Sequence, residues 1–217
     1  MKINNVETLF DSSISESELS VKQQEVLKAS LTLFAQQGFE STTSSQIAEL
    51  AGVSEGTVFK KFKTKQGILE ALLRPFIENV IPRAMNEFES EVATNEYSDF
   101  ESFLHYIVKD RMQFALDSNK QLKVFIQEII RNPEIFKLIA VKWDELIAGR
   151  IGQVINRFKE KGQIGDISID QVMQYTASIV LSYMIPRIIS NVDIPFDVEQ
   201  KSLEATKFLM NGLRNHD

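Results

Sequence analysis

The residues best suited to chemistry are four lysines, Lys60, Lys61, Lys63 and Lys65, and the small polar residues just before them, Ser54, Glu55, Gly56 and Thr57. Clustered ammonium groups pair with phosphates, and small polar side chains can approach and hydrogen-bond base edges. That chemistry needs a scaffold, which the stretch QIAELAGVSEGTVFKKF, Gln46 to Phe62, supplies. Ile47, Ala48, Leu50 and Ala51 give a first short helix its apolar face. Gly52 permits a sharp turn, since a residue without Cβ enters left-handed backbone at little cost. Val53 plugs the space between the helices, and Ser54 is a good N-cap for the second. Val58 and Phe62 are four apart and bury together. The pattern predicts a helix-turn-helix whose second helix presents Glu55, Gly56, Thr57, Lys60 and Lys61 outward, as entry into a DNA major groove requires. Glu55 has two readings. Its carboxylate can accept from cytosine N4, or it can be an N-terminal helix charge favoured by the macrodipole.

Other chemistry finds little support. The chain has no cysteine, which excludes disulfides and thiol catalysis. His105 and His216 are the only histidines, and neither lies at a metal-ligand spacing. There is no P-loop or Gly-rich dinucleotide fingerprint. Catalysis, a bound metal and a cofactor are therefore not expected. A secretory signal is not expected either, nor a membrane span, because no run of about eighteen apolar residues occurs. A cytoplasmic location fits.

The charge distribution suits a protein that touches DNA with one end. All 217 residues carry a formal −6. Between Val21 and Lys65 there are six lysines and four glutamates, a net of +2, which leaves −8 for the remainder. A small basic module sits on an acidic body.

Residues 1–20 are polar and serine-rich and read as a flexible tail, with Leu9 and Phe10 as the one apolar pair that could dock. Helical spacing of Val26, Leu27, Leu31 and Phe34 predicts a helix over 21–37, stopped by Gly38. Ser41, Thr42, Thr43 and Ser44 offer N-caps for the helix carrying Ile47. Hydroxyls and backbone N–H groups at such a start can also hold a phosphate. Thr64 is the next N-cap, with Ile68, Leu69, Leu72 and Leu73 beginning a fourth helix.

The stretch VLKASLTLFAQQGFESTTSSQIAELAGVSEGTVFKKFKTKQGILEALL resembles the N-terminal domain of the TetR/AcrR family of bacterial regulators. The resemblance covers about a quarter of the chain, from Val21 to Leu73. It rests on LF, GF, TT, IA, AGVS, GT, F-x-x-F and the lysine that follows. The resemblance implies a dimeric, all-helical transcription regulator, usually a repressor, released from DNA by a small ligand. By position in that pattern, Thr43 and Ser44 match residues that contact the DNA backbone. Ser54, Glu55, Gly56 and Thr57 match the tip of the recognition helix, and Lys61 and Lys65 match phosphate contacts. Phe59 departs from the pattern, which most often has tyrosine there. It lacks a hydroxyl for phosphate, but its ring can pack on sugar or a thymine methyl, and Lys60 can supply charge.

After Leu73 no basic cluster recurs. Pro75 and Pro82 predict a kink or restart, and the domain boundary is placed here, giving a DNA-binding domain over 21–74 and an effector and dimerisation domain over 75–217. Capping boxes at Ser98–Glu101, Ser118–Gln121 and Ser168–Gln171 open further helices, as does Asp197. Asn132-Pro133-Glu134 opens a helix that runs toward Lys161, weakened at Gly149 and Gly152, with Gly162 as its stop. The expected fold is all-α. The last two helices have apolar stripes broader than one small core needs, which predicts a homodimer through them, suited to a palindromic double-stranded operator. Candidate contacts for a small apolar or amphipathic effector are Phe103, Ile107, Arg111, Gln127, Trp143 and Tyr175. The alternative is a helical sensor or adaptor that has lost sequence-specific DNA binding.

Overall fold

Apolar residues at helical spacing, punctuated by caps and glycines, build a chain of helices. The structure, a computed structural model, describes residues 6–131, 137, 140, 141, 143–145, 148–190 and 195–214. Among the described residues the helices include α1 (Val6–Ser15), α2 (Val21–Gln37), α3 (Ser44–Leu50), α4 (Glu55–Phe62), α5 (Lys65–Pro75), a π-helical segment (Phe76–Val80), α6 (Ile81–Thr94), α7 (Phe100–Asp117), α8 (Asn119–Arg131), α9 (Arg150–Glu160), α10 (Ile169–Ile189) and α11 (Val198–Leu213). No strand occurs among the described residues.

The chain forms two compact units that interleave along the sequence. One comprises residues 1–85 and 118–136, the other 86–117 and 137–217. The boundary expected after residue 74 does not divide them. The first unit extends eleven residues further and takes back α8, which packs on α2 and brings Phe125 against Phe76, ring centroids 4.9 Å apart.

In the first unit α2 runs where periodicity placed it. It buries Val26, Leu27, Leu31 and Phe34 and stops at Gly38, whose φ of +83° suits a residue without a side chain. The flexible tail expected over residues 1–20 is corrected for Val6–Ser15, which form α1 and lie against the π segment and α5. Leu9, Phe10 and Ile14, spaced for one face, are all buried. Asn79 donates to Ser13 Oγ at 3.3 Å, and Arg83 to Glu16 at 3.2 Å. Of the serines that suggest a tail, Ser13 is itself buried and Ser15 Oγ bonds to the Asp11 carbonyl of its own helix.

Pro75 and Pro82 do not stop the fourth helix. Between them the backbone widens to an i→i+5 register, with Ile81 N–H donating to the Phe76 carbonyl. Pro82 has no N–H to offer one turn back, and the wider turn absorbs that loss without ending the helix.

In the second unit α7 packs against α10 and α11. Its cap is Asp99 rather than Ser98: Asp99 Oδ1 accepts from Ser102 N–H at 2.7 Å, which holds the carboxyl below its ordinary range. At the start of α8 the expected box at Ser118 does not form. Ser118 Oγ is buried and meets no partner among the described residues. His105 Nε2 lies 3.0 Å from Ser202 Oγ, whose proton goes to the Glu199 carbonyl at 3.0 Å, so the imidazole is the donor that ties α7 to α11. The expected opening at Asn132-Pro133-Glu134 lies outside the described residues. The helix foreseen from there to Lys161 is broken at Gly149, after which α9 begins. Ser168 and Gln171 form the expected box for α10, which continues through Pro186 to Ile189, and Asp197 caps α11.

The docking of α1 has a direct consequence. Phe10 is 2% exposed, so Phe10→Ala is expected to lower the unfolding free energy by about 3 kcal/mol in urea denaturation, whereas a loose tail would leave it unchanged.

Candidate nucleic-acid interface

The pair α3 and α4 is built by caps at both starts and a glycine between. Thr43 accepts from Gln46 N–H at 3.2 Å, and Gln46 Oε1 returns to Thr43 N–H at 2.9 Å, closing a capping box. Gly52 has φ +65°, and Val53 N–H reaches back to the Ala48 carbonyl at 3.0 Å. Ser54 accepts from Thr57 N–H at 3.3 Å, and its hydroxyl meets Thr57 Oγ1 at 3.0 Å. Ile47 and Ala48 of α3 and Val58 and Phe62 of α4 are buried. Thr64 caps α5, whose first turn passes so close to the end of α4 that a Cβ on Gly67 would stand 2.2 Å from the Phe62 carbonyl oxygen.

With one side buried, the other faces outward. Ser54, Glu55, Gly56, Phe59, Lys60 and Lys61 are exposed, and Thr57 is half-buried. Phe59 is 40% exposed, a large apolar ring on an otherwise polar face. Glu55 occupies the first turn and Lys60 and Lys61 the last, each where the helix dipole favours its charge. Thr43 is exposed and Ser44 half-buried at the start of α3. Lys63 adds a cation in an unusual place, the C-cap of α4, with φ +62°.

Lys65 differs from the other lysines. Its Nζ donates to the carbonyls of Phe39 at 2.8 Å, Glu40 at 3.2 Å and Thr42 at 2.9 Å, and it lies 4.5 Å from the centre of the Phe39 ring. A second network went unnoticed in the sequence. Gln37 Nε2 donates to Gln46 Oε1 at 3.0 Å and lies 3.3 Å from both Thr42 Oγ1 and the Ser41 carbonyl. The T-S-S-Q spacing of the capping box was available as a signal for Gln46, but the partnership with Gln37 across the turn was not.

Of the candidate effector contacts, Gln127 belongs to the first unit and the other five to the second. Phe103 is buried among Tyr97, Phe100 and Phe158, with ring centroids 5.1 to 6.0 Å away. Ile107 is buried too. The Arg111 guanidinium pairs with Asp110 and lies over Phe88 at 3.7 Å and Phe114 at 4.7 Å, so its charge is already answered. Trp143 donates its indole N–H to Asp170 at 3.0 Å. Tyr175 is exposed in a groove between α10 and α11, with a volume of about 370 Å³, lined also by Ser178, Ile179, Ser182, Phe208 and Gly212. Among the described residues no three His, Cys, Asp or Glu side chains converge as a metal site. No described helix is long and apolar enough to cross a membrane.

Residues 26–72 match the family model of bacterial regulatory proteins, tetR family. The chain is 26% identical over 195 residues to an uncharacterized HTH-type transcriptional regulator of Bacillus subtilis, YvkB, an alignment covering 87% of this chain and 95% of that one. It is 36% identical over 61 residues to the HTH-type transcriptional repressor AcnR of Corynebacterium diphtheriae, covering 28% of this chain and 32% of AcnR. Among solved structures, the TetR family transcriptional regulator PfmR of Thermus thermophilus superposes with a TM-score of 0.60 at 18% identity, over 88% of this chain and 99% of PfmR.

Two substitutions probe the scaffold. Ser54→Ala removes a helix cap and is expected to cost about 1 kcal/mol in chemical denaturation. Gly67→Ala is expected to lower the melting temperature although alanine is the better helix former, because its methyl would force α5 away from the end of α4.

Proposed function

We propose that this chain, a transcriptional regulator of the TetR family, works as a cytoplasmic homodimer that represses genes by holding a palindromic DNA operator. A small apolar or amphipathic effector releases it. The observation that carries the reading is the division of α4 into a buried side, Val58 and Phe62, and an exposed side that ends in Lys60 and Lys61. On DNA, Ser54 to Thr57 approach base edges at the helix tip, where Gly56 leaves room for close approach. Phe59 packs on sugar or a thymine methyl. Lys60 and Lys61 pair with phosphates, as do the hydroxyl and N–H of Ser44, while Thr43 holds the start of α3 through its capping box with Gln46.

The dimer is supported by apolar surface on the last two helices. Tyr175, Leu181 and Ile189 on α10 and Leu203 and Phe208 on α11 are exposed, Phe208 to 73%. A second copy packed on α10 and α11 would cover such surface and set two recognition helices on successive turns of one duplex face. The effector acts by population shift and must bind better to the dimer geometry that does not fit DNA. The second reading, a sensor that no longer reads DNA, draws on Phe59, which cannot give phosphate the hydrogen bond of a tyrosine.

Selection from random duplexes is expected to recover an inverted repeat, and recovery of no preferred sequence would favour the second reading. With the recovered site, Lys61→Ala is expected to make the plot of log affinity against log salt shallower by about 0.9, one phosphate contact. Phe208→Asp is expected to give a monomer in sedimentation and to weaken operator binding.

A further inference from the structure

Lys65 stands at a position where the family resemblance implies a phosphate contact, yet its geometry describes another task. An ammonium group has three N–H donors and no acceptor. Here all three are taken, by the carbonyls of Phe39, Glu40 and Thr42 at 2.8, 3.2 and 2.9 Å. The Phe39 ring, 4.5 Å from Nζ, adds a cation–π contact, and Phe39 is itself set edge-on against Phe34 of α2 at 5.2 Å. The side chain is half-buried, unlike exposed Lys60 and Lys61.

The three carbonyls belong to the turn between Gly38 and Thr43, which no helical ladder satisfies. Within it Thr42 N–H reaches the Phe39 carbonyl at 3.2 Å and Thr42 Oγ1 the Gly38 carbonyl at 2.8 Å. Thr43 then starts α3. The first residue of α5 thus reaches back 23 to 26 positions to gather the backbone on which α3 begins. A phosphate could bind Nζ only by displacing one of these carbonyls, each of which would return to water with the turn loosened around it.

We infer that Lys65 is a positioning residue of the DNA reader, acting through the 38–43 turn, and is not one of its phosphate contacts. This rests on the proposed DNA-reading function and adds to it a residue whose charge is spent inside the protein. A compact ammonium can face three carbonyls that converge on one point. A planar guanidinium spreads its donors in a fork and cannot. A phosphate contact, by contrast, survives replacement of lysine by arginine.

The test measures Lys65→Arg and Lys65→Gln on the full-length protein, with the duplex recovered by selection and with unrelated duplex. Both variants are expected to bind the recovered site on the order of tenfold more weakly, the scale of losing hydrogen bonds to a charged group. Binding to unrelated duplex is expected to fall by less than binding to the recovered site, with the salt slope at its wild-type value, which a general loss of folded protein would not give. Without DNA, hydrogen exchange at the Thr42 and Thr43 amides is expected to quicken in both variants. Full binding by Lys65→Arg, with a slope shallower by about 0.9 in Lys65→Gln, would overturn the inference, as would unchanged exchange. Should both variants fail to fold, Phe39→Leu keeps the lysine and removes the ring. It is expected to reduce the preference for the recovered site by about threefold, and an unchanged preference would count against the inference. Failure of the wild-type protein to select any duplex would defeat the DNA reading alone, since the exchange experiment still judges the turn.

Discussion

Helices of seven and eight residues do not persist in water by themselves, because the first turn fixes several residues for a single hydrogen bond. The pair α3 and α4 is of that length, so the reader exists only while its ends are capped and its inner side is buried. Thr43 and Ser54 take up N–H groups at the two starts, and Thr64 does the same for the helix that follows. Ile47, Ala48, Val58 and Phe62 close on α2 and α5. What remains outside is a short ridge with a small tip and a cationic end.

The reader was legible in the sequence because its determinants are local. Gly38 and Gly52 show left-handed backbone where a stop and a turn were read, and the spacing of Val58 and Phe62 fixes which side is inward. Elsewhere the determinants are distant. The fate of Leu9, Phe10 and Ile14 depends on the π segment some sixty residues later, and nothing in a serine-rich stretch announces it. Asp99 and Ser98 are both acceptable caps in isolation, and it is Asp99 Oδ1 that takes the Ser102 N–H. The boundary expected at the prolines follows a change in composition, while the compact units follow contacts, which return α8 to the first unit.

Effector contacts were the least legible. An aromatic residue on the inner side of a helix reads the same whether it fills a core or lines a cavity, and Phe103 fills a core. Arg111 shows the same ambiguity for charge, since its partner Asp110 is the preceding residue and the rings beneath it come from two helices. On α10, apolar residues occupy more than one side. Val172, Val180, Met184 and Ile188 are buried while Leu181 and Ile189 are exposed.

The interleaving of the two units bears on modularity. A reader domain that ends where its motif ends can be cut out and joined to another protein. Here a fragment stopping at residue 85 would leave α2 without α8 and Phe76 without the ring of Phe125. Chimaeras spliced just past the motif would inherit that bare surface. Exchange of specificity between such proteins is therefore better made by transplanting the few outward residues of α4 than by swapping the N-terminal half.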